Sequence, residues 1–415
     1  MAASLEEDED AGPPGVHEID SRSFSTGTLK YLAALAVACF ALWPEVASAA
    51  PTWEQWQSVK GVFDMDGPRT DGSLLVAGAG ALFLVDAQGS QTRFATGPGG
   101  YHEVPSGEQY VAVAHGGAVS AAGCSFAPDE TFILRLRVPV GLIRVGANGE
   151  DSGSFANLTG VSTLNGIAFD NTGAFDHRLL VTGPSGSKTV VFAVDCNGGV
   201  QVITRSAPAL EGGLAVAPST FGSFAGDLVA PDENSGKIYA IAADGKVSTI
   251  ARPSLPVGGD IGVESLGFVP PDLIARGGAA YYADRSTPGN PHPGTDNILR
   301  LASTDLAAAG VQEGDLLVAT EGGATLVDVR CQSSCTVAPV VTTATKAHGE
   351  GHIVFTVTSP PPSPSPARVA NRTPAAVSPG FVDFLGTWGI AVGVGAVVLV
   401  FLVGLGAVAL RRRAR

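Results

Sequence analysis

The sequence predicts an all-β fold, a β-propeller of about six blades, from its composition, a recurring segment and a fixed spacing. Its 415 residues include 54 glycines and 28 prolines, with 45% apolar residues and only 15% charged. That balance suits many short core-facing strands joined by tight turns. The spacing is read from turns. Asp195 lies 49 residues before Asp244, and Gly146 lies 49 residues before Asp195. Several strands per unit at a period near ~50 residues is how a propeller reads in sequence.

Taken in order, residues 1–29 open with Glu6-Glu7-Asp8-Glu9-Asp10 and Pro13-Pro14. Self-repelling, weakly apolar sequence of this kind is expected to be disordered. Residues 30–49 read as a secretory signal peptide: Lys30, the apolar run Tyr31 to Trp43, then Ala47-Ser48-Ala49 as the cleavage motif. An acidic leader ahead of a signal is unusual, which leaves the true start codon open. Leu35-Ala36-Val37-Ala38-Cys39 loosely matches a lipoprotein box, but apolar sequence continues beyond Cys39.

The recurring segment occupies residues 50–358. Gly99-Gly100-Tyr101-His102-Glu103-Val104-Pro105, Asn165-Gly166-Ile167-Ala168-Phe169-Asp170, Gly212-Gly213-Leu214-Ala215-Val216-Ala217-Pro218 and Ser265-Leu266-Gly267-Phe268-Val269-Pro270 share one pattern. A turn residue is followed by a large apolar residue, usually a small one, and usually another large one. This predicts the innermost strand of a blade. Second strands are expected at Tyr110–Val113, Leu179–Val181, Asp227–Ala230 and Ala280–Ala283, with a later copy at Asp315–Ala319. Third strands are expected to run into turns at Asp86–Gly89, Asp195–Gly198 and Asp244-Gly245, where glycine supplies positive φ. Asp315 follows the fifth unit too closely for a complete sixth first strand.

These repeats resemble six-bladed propellers of the NHL and SMP-30/gluconolactonase kind. Asn165-Gly166-Ile167-Ala168-Phe169-Asp170 is similar to their recurrent inner strand, and Asp232 to Ile241 is similar to their outer hairpin. The resemblance covers roughly residues 60 to 357. It implies a central channel whose mouth holds a divalent metal, with Asn165 and Glu211 as the positions carried over; calcium or another divalent cation is the implied cofactor. The resemblance does not place a further acidic ligand or a catalytic base.

The polar residues entering the predicted inner strands are His102, Glu103, Asn165, Glu211 and Glu264. Glu103 is the oddest, standing where the other units carry Phe169, Val216 and Phe268; a charge in an apolar slot is costly unless paired. Solvated loop polars are the plainer reading of this set. A second acidic cluster, Asp64-Met65-Asp66-Gly67 with Asp71-Gly72, offers oxygen ligands but lacks an EF-hand's register. Asp232-Glu233-Asn234 reads as a hairpin tip. Of five cysteines, Cys39 falls in the signal segment, leaving an even set suited to an oxidising compartment. Cys331 and Cys335 are placed to clamp a hairpin tip, and Cys124–Cys196 is the remaining candidate bond. Zinc is disfavoured there because no second cysteine pair accompanies His348 and His352.

Residues 359–383 form a proline- and serine-rich stalk. Residues 384–410 contain no charged residue and read as one transmembrane helix, with Trp388 at its interface and the arginine-rich tail 411–415 on the cytoplasmic side. Gly389 and Gly393 match a helix-pairing motif. The expected location is the cell membrane, single-pass, with the propeller outside. A formal net charge of -14 with no basic stripe argues against nucleic acid. Phosphate-loop, nucleophile-elbow and His-Glu-x-x-His motifs are absent. The reading is therefore a membrane-anchored module binding an extracellular ligand or protein. A metal-dependent lactonase or esterase in the channel is the alternative, so whether the chain is an enzyme stays open.

Overall fold

A computed structural model describes residues 50–102 and 107–358. Six four-stranded antiparallel sheets account for nearly all of its strands. In the first, β2 (Val62–Asp66), β3 (Leu74–Gly78), β4 (Ala81–Val85) and β5 (Gln91–Phe94) follow in chain order. The second uses β6 (Val111–Val113), β9 (Thr131–Arg135), β10 (Gly141–Val145) and β11 (Ser152–Asn157). A small hairpin, β7 (Ala118–Val119) with β8 (Cys124–Ser125), interrupts it. The third runs β12 (Gly166–Phe169), β13 (Leu179–Ser185), β14 (Lys188–Val194) and β15 (Val200–Ala207). The fourth runs β16 (Ala215–Val216), β17 (Leu228–Asp232), β18 (Lys237–Ile241) and β19 (Val247–Ala251).

The last two sheets are interleaved. After β20 (Val263–Phe268) the chain passes short helix α1 (Leu273–Arg276) and lays down β21 (Gly278–Asp284) and β22 (Asn297–Ala302) in the sixth sheet. It returns through α2 (Ser303–Ala308) to complete the fifth with β23 (Leu316–Thr320), β24 (Leu326–Cys331) and β25 (Cys335–Val341). The sixth sheet then closes from both ends of the domain. Its inner strand is β26 (Gly349–Val357) and its outer strand is β1 (Glu54–Ser58). This explains why Asp315 follows so closely: it opens the second strand of blade five, pairing beside β20. Ala280–Ala283 is a second strand as expected, but of blade six.

The inner strands β2, β6, β12, β16, β20 and β26 touch their neighbours in that cyclic order, so six blades surround one channel. Between each pair of blades lies one apolar cluster. Leu179 and Val181 face the second blade beside Phe132 and Phe192, while Leu180 faces the fourth beside Leu228 and Ile241. Successive strand residues point to opposite faces, so a strand buried on both faces is apolar throughout, as Leu74 to Gly78 is.

Blade two corrects the expected register. Tyr110–Val113 belongs to the innermost strand of its sheet, not the second, and Gly99–His102 is loop. The excursion from Ala114 to Glu130, which carries the extra hairpin, hides the true second strand at Thr131–Arg135. Both expected disulfides are present. Cys331–Cys335 joins the tip of the β24–β25 hairpin, and Cys124–Cys196 fastens the extra hairpin to blade three. No helix among the described residues is long and apolar enough to cross a membrane. The leader, the signal peptide, the stalk, the spanning segment 384–410, Gly389, Gly393 and the basic tail lie outside the described residues, as does Glu103.

Candidate functional site

The inner strands all begin at one end of the channel, where main-chain bonds tie neighbouring blades together and close the end of blade five. Gly212 N–H donates to Asn165 O, Gly213 N–H to Glu264 O, Glu321 N–H to Gly262 O and Gly349 N–H to Glu321 O. These contacts bring the residues heading each strand together. Asn165 is buried and fully engaged: its Nδ2 donates to Leu210 O at 2.6 Å, and Thr182 Oγ1 donates to its Oδ1 at 3.2 Å. It braces blade three against the loop entering blade four.

Glu211 and Glu264 meet at this mouth, joined by Glu108, Glu233, Asp260, Glu321 and Glu350. Burial, reinforced by the Glu233, Glu108, Glu321 and Glu350 carboxylates, pushes Glu211 up to about 7. Burial with Glu321 and Asp260 does the same to Glu233, at about 7. Glu264 is 3% exposed; burial first, then Glu350 and Glu211, hold its carboxyl well above the ordinary range. Tyr110 Oη donates to Glu264 Oε1 at 2.6 Å, while Glu264 Oε2 is buried with no protein partner. Desolvation disfavours the charged form, and like charges compound the effect.

His348 and Arg285 stand against this charge. His348 Nε2 lies 3.0 Å from Glu321 Oε1 and 3.4 Å from Glu350 Oε1, and Arg285 donates to Glu350 Oε1 at 3.1 Å. Burial opposes a charge on His348, but the two glutamates outweigh it and push the imidazole up to about 9. Burial raises Glu350 to about 7 against the pull of His348 and Arg285. Among the described residues, Glu321, His348 and Glu350 form the group whose ligand atoms lie within 4.8 Å of one another.

Deeper in, the channel is closed by His352. Its Nδ1 lies 2.8 Å from Asp64 Oδ1 and its Nε2 2.8 Å from Ile167 O across the axis. Asp64 also accepts from His352 N–H at 2.8 Å and from Val111 N–H at 2.7 Å, so one carboxylate ties β2 to both β26 and β6. Glycine makes the closure possible. Gly351 has φ +72°, and a Cβ there would press on Asp64; a Cβ on Gly213 would come within 2.5 Å of Gly351 O. The oxygens of the Asp64 cluster are engaged within the protein. Asp64 is spent on this closure, Asp66 accepts from Gly67 and Val113 N–H, and Asp71 binds Ser73.

Beyond His352 the channel opens into an apolar chamber of about 440 Å³, walled by Phe169, Val216, Leu266, Phe268 and Phe355. His102 lines neither end. It is exposed beside Arg135, Pro139 and Ser152–Ser154, radially outward on blade two, because Gly99–His102 packs on the β10–β11 turn. Glu211 and Glu264 were found because each heads a recognisable strand. Glu321 and Glu350 were missed, and His348 was weighed only beside the cysteines, although His348-Gly349-Glu350 sets two polar residues two apart on the strand entering the channel. Glu233 sits at the hairpin tip as expected and also faces the mouth.

No known family matches the sequence, and no curated protein does. Several solved structures are similar in form. A gluconolactonase-like protein is 12% identical, over 75% of this chain and 90% of its own, with a TM-score of 0.39. Virginiamycin B lyase from Staphylococcus aureus is 12% identical, over 74% and 94%, with a TM-score of 0.37. A streptogramin B lyase is 13% identical, over 74% and 95%, with a TM-score of 0.38. The six-bladed ring rests on the strand pairing described above.

Proposed function

We propose that this chain is a recognition module that binds a cationic ligand, a metal ion or a small amine, at the acidic mouth of its channel. The observation that carries this reading is the convergence, among the described residues, of seven carboxylates on a mouth where Arg285 and His348 are the cations they meet. At neutral pH crowded carboxylates either take up protons or stay charged at a cost. An entering cation removes that cost, and low-dielectric walls strengthen its attraction. Calorimetric titration of the purified full-length protein with spermidine tests it. Binding is expected, weakened about tenfold or more by Glu211→Gln with Glu233→Gln, and falling with salt. Absence of binding by both spermidine and divalent ions would sink the reading.

A second reading is metal-dependent opening of a lactone or ester at the same mouth. Glu211 and Glu233 favour it, since carboxyls held at about 7 suit a general base at neutral pH. Divalent-ion-dependent turnover of simple lactones, lost in Glu211→Gln, would move the function to this class. The outward-facing, membrane-tethered setting belongs to the same proposal. It draws on the apolar run 384–410, the arginines after it and the two disulfides. Protease added to intact cells should degrade the propeller; protection alongside cytoplasmic markers would contradict that setting.

A further inference from the structure

We infer that Glu321, His348 and Glu350 form a binding site for a borderline divalent ion, with Zn²⁺ as the best match. This rests on the reading that the mouth takes cations, and it names the ion and its ligands. The donor set is one imidazole nitrogen and two carboxylates, and all three residues are buried, at 7%, 1% and 5% exposure. Imidazole suits zinc and its neighbours, whereas calcium and magnesium prefer oxygen donors alone.

The spacing agrees with zinc. Ligand bonds of ~2.0–2.1 Å in a tetrahedron put neighbouring donor atoms about 3.3 Å apart. His348 Nε2 stands 3.0 Å from Glu321 Oε1 and 3.4 Å from Glu350 Oε1. A modest rearrangement therefore brings the donors around one ion. The backbone that carries the ligands is fixed by further bonds. His348 N–H donates to Asp284 Oδ1 at 2.9 Å, Gly349 N–H to Glu321 O at 2.7 Å, and Arg285 N–H to His348 O at 2.8 Å. Such support keeps a ligand set near its binding geometry.

A separate observation agrees with a cation at this mouth. Glu264 Oε2 is buried without a protein partner, and Glu350 and Glu211 are the like charges that act on its carboxyl. Glu264 comes from β20, a different strand from any of the three ligands. A buried carboxylate oxygen left unpaired is costly, and a divalent ion at Glu350 would relieve it. Asn165, whose amide is already bonded on both atoms, serves the frame of this site rather than its ligand set.

The competing account is that His348 pairs with Glu321 and Glu350 as a metal-free ion triad. Titration of the purified full-length protein with ZnCl₂ and CaCl₂, followed by calorimetry and thermal melting, separates the two. One zinc per chain should bind and raise the melting temperature, with calcium at least ~100-fold weaker. His348→Gln should weaken zinc by at least ~100-fold, read on the folded variant because losing the imidazole also removes its pairing with Glu321 and Glu350. If His348→Gln fails to fold, Glu321→Gln provides the same comparison. Zinc binding unchanged in the variant, or absent from the wild type, would overturn the site. Spermidine binding that survives in the latter case would leave the cationic mouth standing without its metal.

Discussion

Where the inner strands begin, the channel presents Glu211, Glu264, Glu321 and Glu350; where they finish, it presents Phe169, Val216, Phe268 and Phe355. The ring of strands is shared, and His352 with Asp64 divides the two ends. The apolar end adds to stability chiefly through burial of Phe169, Val216, Phe268 and Phe355, with Asp66, His115 and His352 on its inner wall. The acidic end holds Glu211, Glu264 and Glu350 above the ordinary carboxylate range, so they work against folding whenever they ionise. A fold rarely keeps such an arrangement for stability's sake, and the likeness to a functional, strained site is the lesson.

The comparison can be broken most forcefully at the divide. His352→Leu removes the imidazole facing buried Asp64, leaving it only main-chain N–H donors, a loss of about 3–5 kcal/mol by denaturant unfolding. Phe169→Ala should lose about 3 kcal/mol from the apolar end, since Phe169 packs edge-on to Phe126 and Phe132. Its zinc and spermidine affinities should match the wild type; a change in either would show that the two ends are coupled.

The dependence on pH sharpens the contrast. Glu211, Glu233 and Glu350 have folded values of about 7, above the ordinary 4.5. Their favourable contribution is complete below pH 4.5 and lost as pH rises through about 7. His352 behaves alike at higher pH: burial opposes its charge, but Asp64 and Asp66 push it up to about 9. Its contribution is complete below pH 6.5 and lost as pH rises through about 9. Melting temperature should therefore fall in two stages between pH 5 and pH 9, and His352→Leu should shrink only the upper one, which it shares with His348, also pushed up to about 9. The smallest effect is expected from Glu211→Gln. It should stabilise the protein by about 1 kcal/mol at pH 8, after allowing for solvent screening at this half-buried side chain, while weakening cation binding.

Much of the fold was legible because turns repeat where strands do. Asp195 and Ala242 begin the corresponding third-to-fourth strand turns, so Asp244 stands two residues into its own, and the turn recurs whatever the core residues are. Blade two escaped because the insertion between Val113 and Thr131 displaced its second strand. Blades five and six escaped because a local repeat cannot show that β21 and β22 belong to the sheet beyond. The site followed the same rule. Glu211 and Glu264 head strands that the repeat identifies, whereas Glu321 leaves a returning strand and His348 and Glu350 enter the closing one. Their meeting depends on ring closure, which no local pattern records.

The central claim, that the acidic mouth exists to take a cation, is tested most directly by melting the full-length protein with and without saturating spermidine at pH 5 and at pH 8. The account predicts a larger rise in melting temperature at pH 8, where the mouth carboxylates are ionised, and a much smaller one when Glu211 and Glu233 are both changed to glutamine. A rise of equal size at both pH values, or no rise at either, would contradict it.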